Sequence, residues 1–153
     1  MDAEDSRILS RMMRRCAARE YCRNDIRRQL AGLSPDKADS LLETLCREGY
    51  VDDARYARAF ARDKSALQAW GSLKIKLALQ RKGIAAATIA SALEEIDEEA
   101  AQARLEHVLG IKWKSLERET DPLRREAKFF RYALGRGYGY EQIKRIYDHL
   151  RRD

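Results

Sequence analysis

The chain has 153 residues, of which 37% are charged and 44% are apolar, and its formal net charge is +6 at pH 7. That length suits one ordinary domain or a few very small units that share contacts, and the apolar content excludes wholesale disorder. No stretch approaches the ~20 consecutive apolar residues of a membrane-spanning helix, and the first twenty residues contain no secretory apolar region. We therefore expect a soluble, cytoplasmic protein with no membrane contact.

Apolar residues recur at the i, i+3 and i+4 spacing over nearly the whole chain, which is the helical pattern. Strand-like alternation is absent, and only Pro35 and Pro122 interrupt the sequence. The pattern predicts an all-α protein of about nine helices.

In the first third of the chain, helix 1 carries a long apolar stripe, and Asn24 is the predicted N-cap of helix 2. Ser34 as N-cap and Pro35 at the first helical position open helix 3, which we expect to end at Gly49. The expected buried residues of these helices are Ile8, Leu9, Met12, Met13, Cys16, Ala17, Ile26, Leu30, Leu41, Leu42, Leu45 and Cys46.

In the middle third, Asp52 or Asp53 caps helix 4, and Gly71 with Ser72 begins helix 5, which ends at Gly83. Helix 6 follows directly. The expected inward residues are Tyr56, Ala57, Phe60, Ala61, Ile75, Ala78, Leu79, Ile89, Ala92, Leu93 and Ile96.

In the last third, Asp97 caps helix 7, and Asp121 with Pro122 opens helix 8. A glycine-rich turn then leads to helix 9. The expected apolar sides are Leu105, Val108 and Leu109 on helix 7, Leu123, Ala127, Phe130 and Leu134 on helix 8, and Tyr140, Ile143, Tyr147 and Leu150 on helix 9.

The nine helices divide into three groups of three, and the middle helix of each group carries an apolar pair four residues apart. We therefore predict three tandem three-helix, helix-turn-helix-like units over residues 1–51, 52–97 and 98–153. The alternative to a true repeat is a chance similarity, because helical hairpins in general have glycine turns and apolar pairs four residues apart. Because each unit is near the lower size limit for an independent domain, we expect the units either to pack against one another or to form a chain with exposed clefts between them.

Positive charge is concentrated in two zones that flank an acidic segment. Residues 51–90 have a net charge of +5, residues 91–110 of −5 and residues 111–153 of +5. Cations interleaved with aromatic residues are typical of a nucleic-acid-binding surface. The cations neutralise phosphates, and the flat rings stack on bases. Two other interpretations explain the same positive charge, namely solvated helix surfaces and an acidic protein partner. The acidic segment is either a solvated face, an internal counterpart of the basic zone or a contact for a basic partner.

Within the basic zones we predict a set of partner- or DNA-contacting residues. Arg55, Arg58 and Arg62 are spaced to share one helix face, where their mutual repulsion costs stability unless an anion meets them. The full predicted set is Arg55, Arg58, Arg62, Lys74, Lys76, Lys82, Arg125, Lys128 and Arg131.

Catalytic and metal-binding motifs are absent from the sequence. It contains no phosphate-binding loop, no HExxH, no GxSxG and no dinucleotide fingerprint. Three cysteines without a CxxC pair fit small buried side chains better than a zinc site. We therefore expect a non-enzymatic protein without cofactor, metal or small-molecule substrate.

Three segments resemble the RecX family of bacterial recombination regulators. Residues 49–60 (GYVDDARYARAF) match its Gly–aromatic–aliphatic–Asp/Asn–Asp step into an aromatic-bearing helix. Residues 71–84 (GSLKIKLALQRKGI) are similar to its second motif, and Arg136-Gly137-Tyr138 followed by Ile143 is a third match. With the spacing and the three-group layout, the resemblance covers about residues 5–150, least well in the first group.

The resemblance implies three tandem three-helix units in an elongated, curved arrangement. It also implies binding to the RecA recombinase and its filament on single-stranded DNA, with inhibition of filament extension, ATPase and strand exchange during DNA repair. Double-stranded DNA is a further candidate ligand. Two other hypotheses are a stand-alone helix-turn-helix-like DNA-binding protein and a helical adaptor for an unrelated acidic protein.

Overall fold

The structure is a computed structural model that describes residues 2–153, and over that range its regular secondary structure is α-helical throughout. The helices are α1 (Ala3–Ala18), α2 (Arg23–Gln29), α3 (Pro35–Arg47), α4 (Asp53–Gln68), α5 (Ser72–Arg81), α6 (Ala86–Glu94), α7 (Glu98–Ser115), α8 (Pro122–Gly135) and α9 (Tyr140–Arg152). The prediction of an all-α fold is confirmed.

Most of the predicted helix starts are confirmed by their caps. The side chains of Ser34, Asp52, Asp97 and Asp121 each accept a hydrogen bond from a backbone N–H in the first turn of α3, α4, α7 and α8. These bonds satisfy donors that a helix leaves free at its N-terminus. The local sequence therefore determines where these four helices begin.

The predicted N-cap of α2 is wrong. Cys22, not Asn24, is the N-cap, and Asn24 lies within the first turn. The reason is the carboxylate of Asp25, which accepts a hydrogen bond from the backbone N–H of Cys22 at 3.2 Å. The backbone N–H of the N-cap residue thereby gains an acceptor from the first turn of the helix, which is one half of a capping box.

Three hydrophobic clusters follow one another along the chain. The first lies among α1, α2 and α3, the second among α4, α5 and α6, and the third among α7, α8 and α9. Cys22, from the loop before α2, is fully buried in the second cluster. The unit boundaries at 51/52 and 97/98 remain a prediction.

Helix α8 buries a different face from the one predicted. Phe129 and Ala133 are fully buried, whereas Leu123 is 76% exposed and Leu134 is 48% exposed. The ring of Phe129 packs against Trp113 and other aromatic rings of the third cluster. Phe130, on the predicted face, is only partly buried against the same cluster. The inward side of α8 is therefore centred on Phe129 and flanked by Phe130.

The first and second units are joined through buried or half-buried polar side chains. The ammonium group of Lys82 contacts the carboxylate of Asp25 at 2.8 Å, and the Asp25 side chain is only 11% exposed. Burial by itself would raise the pKa of Asp25, but hydrogen bonds from Lys82 and from the Cys22 N–H hold it below its ordinary value. The ionised carboxylate is therefore stabilised by folding.

The second and third units are joined by backbone hydrogen bonds. The N–H of Gly71 donates to the carbonyl of Arg136 at 2.7 Å, and the N–H of Leu73 donates to the carbonyl of Gly137 at 3.1 Å. The Tyr138 hydroxyl also donates to a carbonyl of the same loop, that of Ala69. We call this contact, between residues 69–73 and 136–138, the glycine junction.

Two glycines make the glycine junction possible. A Cβ at Gly71 would lie 2.8 Å from the backbone nitrogen of Tyr138, and one at Gly137 would lie 2.6 Å from the backbone nitrogen of Lys74. Gly137 also has a φ of +95°, a conformation that other residues rarely adopt. The two chain segments thus approach too closely for any side chain at either position.

We predict that Gly137→Ala destabilises the protein by about 2 kcal/mol or more, because it combines left-handed strain with a clash at the glycine junction. Urea unfolding measures the effect. Gly135→Ala is the control, since a Cβ there meets nothing within 4 Å, and it should be neutral or slightly stabilising. Equal stability of the two variants would contradict the close approach.

We predict that Asp25→Asn lowers the free energy of unfolding at pH 7 by about 1–3 kcal/mol, because it removes a charge-assisted bond to Lys82. Since the pKa of Asp25 is depressed in the folded state, its contribution is complete above the unfolded-state pKa and disappears as the pH falls through the folded-state value. The difference from the unmutated chain should therefore shrink below about pH 4.

Urea midpoints measured from pH 7 to pH 3 test this, with Asp39→Asn on the exposed side of α3 as the control. A difference between Asp25→Asn and the unmutated chain that stays constant over that pH range would contradict the ion pair.

Candidate interaction surface

The nine predicted contact residues occupy two kinds of environment. The exposed ones are Arg58, Arg62, Lys76, Lys128 and Arg131. The side chains that contact groups of the chain itself are Arg55, Lys74, Lys82, Arg125 and Lys128. The two groups overlap, because Lys128 is also exposed. Arg58 and Arg62 form ion pairs of their own, with Glu95 and Asp63. Which of the nine residues contact a partner remains a prediction.

Arg55, the first member of the predicted arginine stripe on α4, is held by the first unit. Its Nε lies 2.6 Å from the carboxylate of Glu20, and its two terminal nitrogens donate to the carbonyls of Gly49 and Tyr50 at 3.1 and 3.2 Å. With Lys82, it joins α4 and α5 to the preceding unit. The stripe is thereby reduced to Arg58 and Arg62 as exposed cations.

Arg125 and Lys128 hold α8 against the end of α7. The guanidinium of Arg125 lies 3.4 Å from the centre of the Trp113 ring and donates to the Trp113 carbonyl at 2.9 Å. Lys128 contacts Glu119 at 2.7 Å, and this hydrogen bond is the main reason why the pKa of Glu119 is lowered. Trp113 is thus covered by a cation from its own chain.

Trp70 is covered in the same way. The ammonium groups of Lys64 and Lys74 lie 4.8 and 4.3 Å from the centre of its ring, and Phe60 packs edge-on against it. Such cation–π contacts stabilise the local structure. Both tryptophans therefore belong to the scaffold.

A cleft between the second and third units gathers the exposed arginines of α4. Its cavity has a volume of about 350 Å³, and its lining includes Arg58 and Arg62 of α4 with Arg104 of α7. Arg104 donates to the hydroxyl of Ser65 at 2.9 Å, and Ser65 is only 4% exposed. We call this cavity the arginine cleft.

Arg104 is a site residue that the sequence analysis missed. It is the only Lys or Arg between residues 91 and 110, a segment with a net charge of −5. A lone cation in an acidic helix pair is a signal that could have identified it. Its partners, however, lie about 40 positions earlier in the sequence, so only the packing of α7 against α4 brings them together.

Two carboxylates also line the arginine cleft. Glu95 lies 3.7 Å from the Nε of Arg58. Asp97 caps α7, accepting hydrogen bonds from the N–H groups of Glu99 and Ala100. At Glu95 the acidic segment is therefore an internal counterpart of the neighbouring basic zone.

The described part of the chain contains neither a membrane-spanning helix nor a cluster of metal-binding side chains. No helix over residues 2–153 has the length and apolar character needed to cross a membrane. Those same residues also contain no group of three or more His, Cys, Asp or Glu side chains arranged to hold a metal ion.

Known structures share this fold. The crystal structure of RecX from Lactobacillus salivarius superposes with a TM-score of 0.83 at 19% identity, covering 99% of this chain and 100% of that one. A second crystal structure, titled regulatory protein RecX, gives a TM-score of 0.81 at 21% identity over 97% of this chain and 72% of that one. At these identities the likeness establishes the fold alone.

Sequence comparisons establish the family. A family profile described as "RecX, second three-helix domain" matches residues 52–93. The regulatory protein RecX of Cronobacter sakazakii is 32% identical, over 93% of this chain and 91% of the relative. That of Chromohalobacter salexigens is 30% identical over 90% and 88%.

Relatives differ in length. The regulatory protein RecX of Clostridium botulinum is 32% identical over 76% of this chain, which spans only 55% of that relative. Identity of 30% or more along almost the entire length of two other relatives, together with the shared all-helical fold, shows that this chain belongs to the RecX family of regulatory proteins.

Proposed function

We propose that this chain binds the RecA recombinase and its filament on single-stranded DNA, in the cytoplasm, and inhibits the recombinase by binding rather than by catalysis. The observation that carries the proposal is the likeness to RecX regulatory proteins along nearly the whole chain. The exposed basic residues on separate units support it, because an extended polymer can bind several units of one chain at the same time.

Multivalency supplies the affinity in this proposal. Arg58 on α4, Lys76 on α5 and Arg131 on α8 are exposed cations on different helices. Several weak contacts along one polymer add up when a rigid scaffold holds them at fixed spacing. We assign these residues, with Arg62, to contacts with phosphates or acidic filament patches, and we assign Arg55, Lys74, Lys82, Arg125 and Lys128 to holding the scaffold.

Inhibition follows if the scaffold binds one state of the filament better than another. A ligand shifts a conformational equilibrium only by its difference in affinity for the two states. Occupying a filament groove or end in one state would therefore lower ATP hydrolysis without any chemistry by this chain.

ATP hydrolysis by the recombinase on single-stranded DNA is the direct test. Substoichiometric amounts of the purified chain should suppress it. Unchanged hydrolysis, together with tight and sequence-selective binding to duplex DNA, would instead favour a stand-alone helix-turn-helix-like DNA-binding protein.

We predict that the double variant Arg58→Glu/Arg62→Glu raises the concentration needed for half-maximal inhibition by about tenfold or more, equivalent to ~1.4 kcal/mol of lost binding. Both side chains are exposed, so the helical circular dichroism spectrum should not change. The control is Arg27→Glu/Arg28→Glu, an equal charge reversal at two exposed positions of α2. Equal inhibition by the two double variants would remove the α4 arginines from the contact surface.

A further inference from the structure

We propose that the arginine cleft binds a phosphate group of the single-stranded DNA backbone. The cleft joins guanidinium groups from two units, Arg58 and Arg62 from α4 and Arg104 from α7, around a cavity of about 350 Å³. The choice of single-stranded DNA as the ligand rests on the proposed function. The inference adds a specific site at which this chain itself binds the DNA.

Charge favours an anion in the cleft. Three guanidinium groups but only two carboxylates, those of Glu95 and Asp97, line it. A third carboxylate, that of Asp63, pairs with Arg62 from outside the lining in an exposed contact. Asp97 already accepts two hydrogen bonds from the first turn of α7. It therefore has less capacity than Glu95 to compensate the arginines.

Arg104 is the fixed element of the site. One terminal nitrogen donates to the buried hydroxyl of Ser65, which orients the guanidinium plane. Its Nε–H is buried and has no acceptor among the described residues. A buried donor left without a partner is unfavourable, and a phosphate oxygen entering the cleft would supply an acceptor to this guanidinium.

Arg58 and Arg62 are the adjustable elements. The pair between Arg58 and Glu95 is long, at 3.7 Å, and Arg62 pairs only with its neighbour Asp63, in an exposed contact at 3.3 Å. Exposed ion pairs of this kind contribute little to stability. Both side chains can therefore turn towards a ligand at small cost.

The chemistry of the cleft suits phosphate better than the carboxylate of an acidic protein. A phosphate group offers several charged oxygens in a tetrahedral arrangement, and arginine recognises it through paired N–H donors. Three guanidinium groups from two helices can approach such an oxygen set from different directions. The carboxylate of Glu95 already lies beside Arg58. It competes with a phosphate for this guanidinium, and the phosphate would displace it.

The test measures binding of a fluorescently labelled oligo-dT by anisotropy, without recombinase and at several salt concentrations. Arg104→Gln should weaken binding by roughly tenfold and reduce the salt dependence by about one phosphate contact. Arg118→Gln is the matched control, because Arg118 is exposed and lies away from the cleft, so its affinity should remain close to that of the unmutated chain.

A second variant separates binding from folding. Glu95→Gln should tighten oligo-dT binding about three- to tenfold, because it removes the competitor for Arg58, and a gain of affinity cannot arise from misfolding. Glu141→Gln, an equal change at an exposed position of α9, is its control and should have a smaller effect.

The proposal is overturned if Arg104→Gln binds like Arg118→Gln, or if Glu95→Gln binds no better than Glu141→Gln. Unlabelled tripolyphosphate distinguishes the source of the phosphate. If it saturates the cleft without displacing oligo-dT, the DNA assignment is wrong. Because the recombinase is absent from this assay, a result that overturns the phosphate site leaves the ATPase test of the proposed function unaffected.

Discussion

The contact on which the rest of this structure depends is the glycine junction. Two loops that are distant in the sequence are joined by backbone hydrogen bonds, with the Gly71 and Leu73 amides donating to the Arg136 and Gly137 carbonyls. At Gly71 and Gly137 the loops approach more closely than a Cβ would allow. The hydrogen bonds fix the second and third units relative to each other, and so they determine where α7 lies against α4.

The first unit is attached by a different kind of contact. Ion pairs and hydrogen bonds from Lys82 and Arg55 to Asp25 and Glu20 connect it to the second unit, and Cys22 inserts into the second cluster. Two cations of the central basic zone therefore serve cohesion between units. The arginine stripe therefore presents fewer available cations than its spacing indicates, and the phosphate site that we propose lies in the arginine cleft.

The parts of the structure that depend on local chemistry could be predicted from the sequence. Caps such as Ser34 and Asp97 determine helix starts within a turn, and apolar periodicity identifies the buried faces of α3 and α4. Contacts between distant segments could not be predicted. Nothing near Arg104 indicates Ser65 as its partner, and α8 carries two apolar faces whose choice depends on the aromatic rings of its neighbours. The candidate site was therefore found only in part.

Hydrogen exchange of the Leu73 amide tests the glycine junction most directly. Leu73 is the second residue of α5, a position whose N–H has no acceptor within its own helix, and Ala87 holds the same position in α6. If the junction exists in solution, the Leu73 amide should exchange at least about 100-fold more slowly than the Ala87 amide, after correction for intrinsic rates. Equal exchange at the two amides would show that the second and third units are not joined in this way.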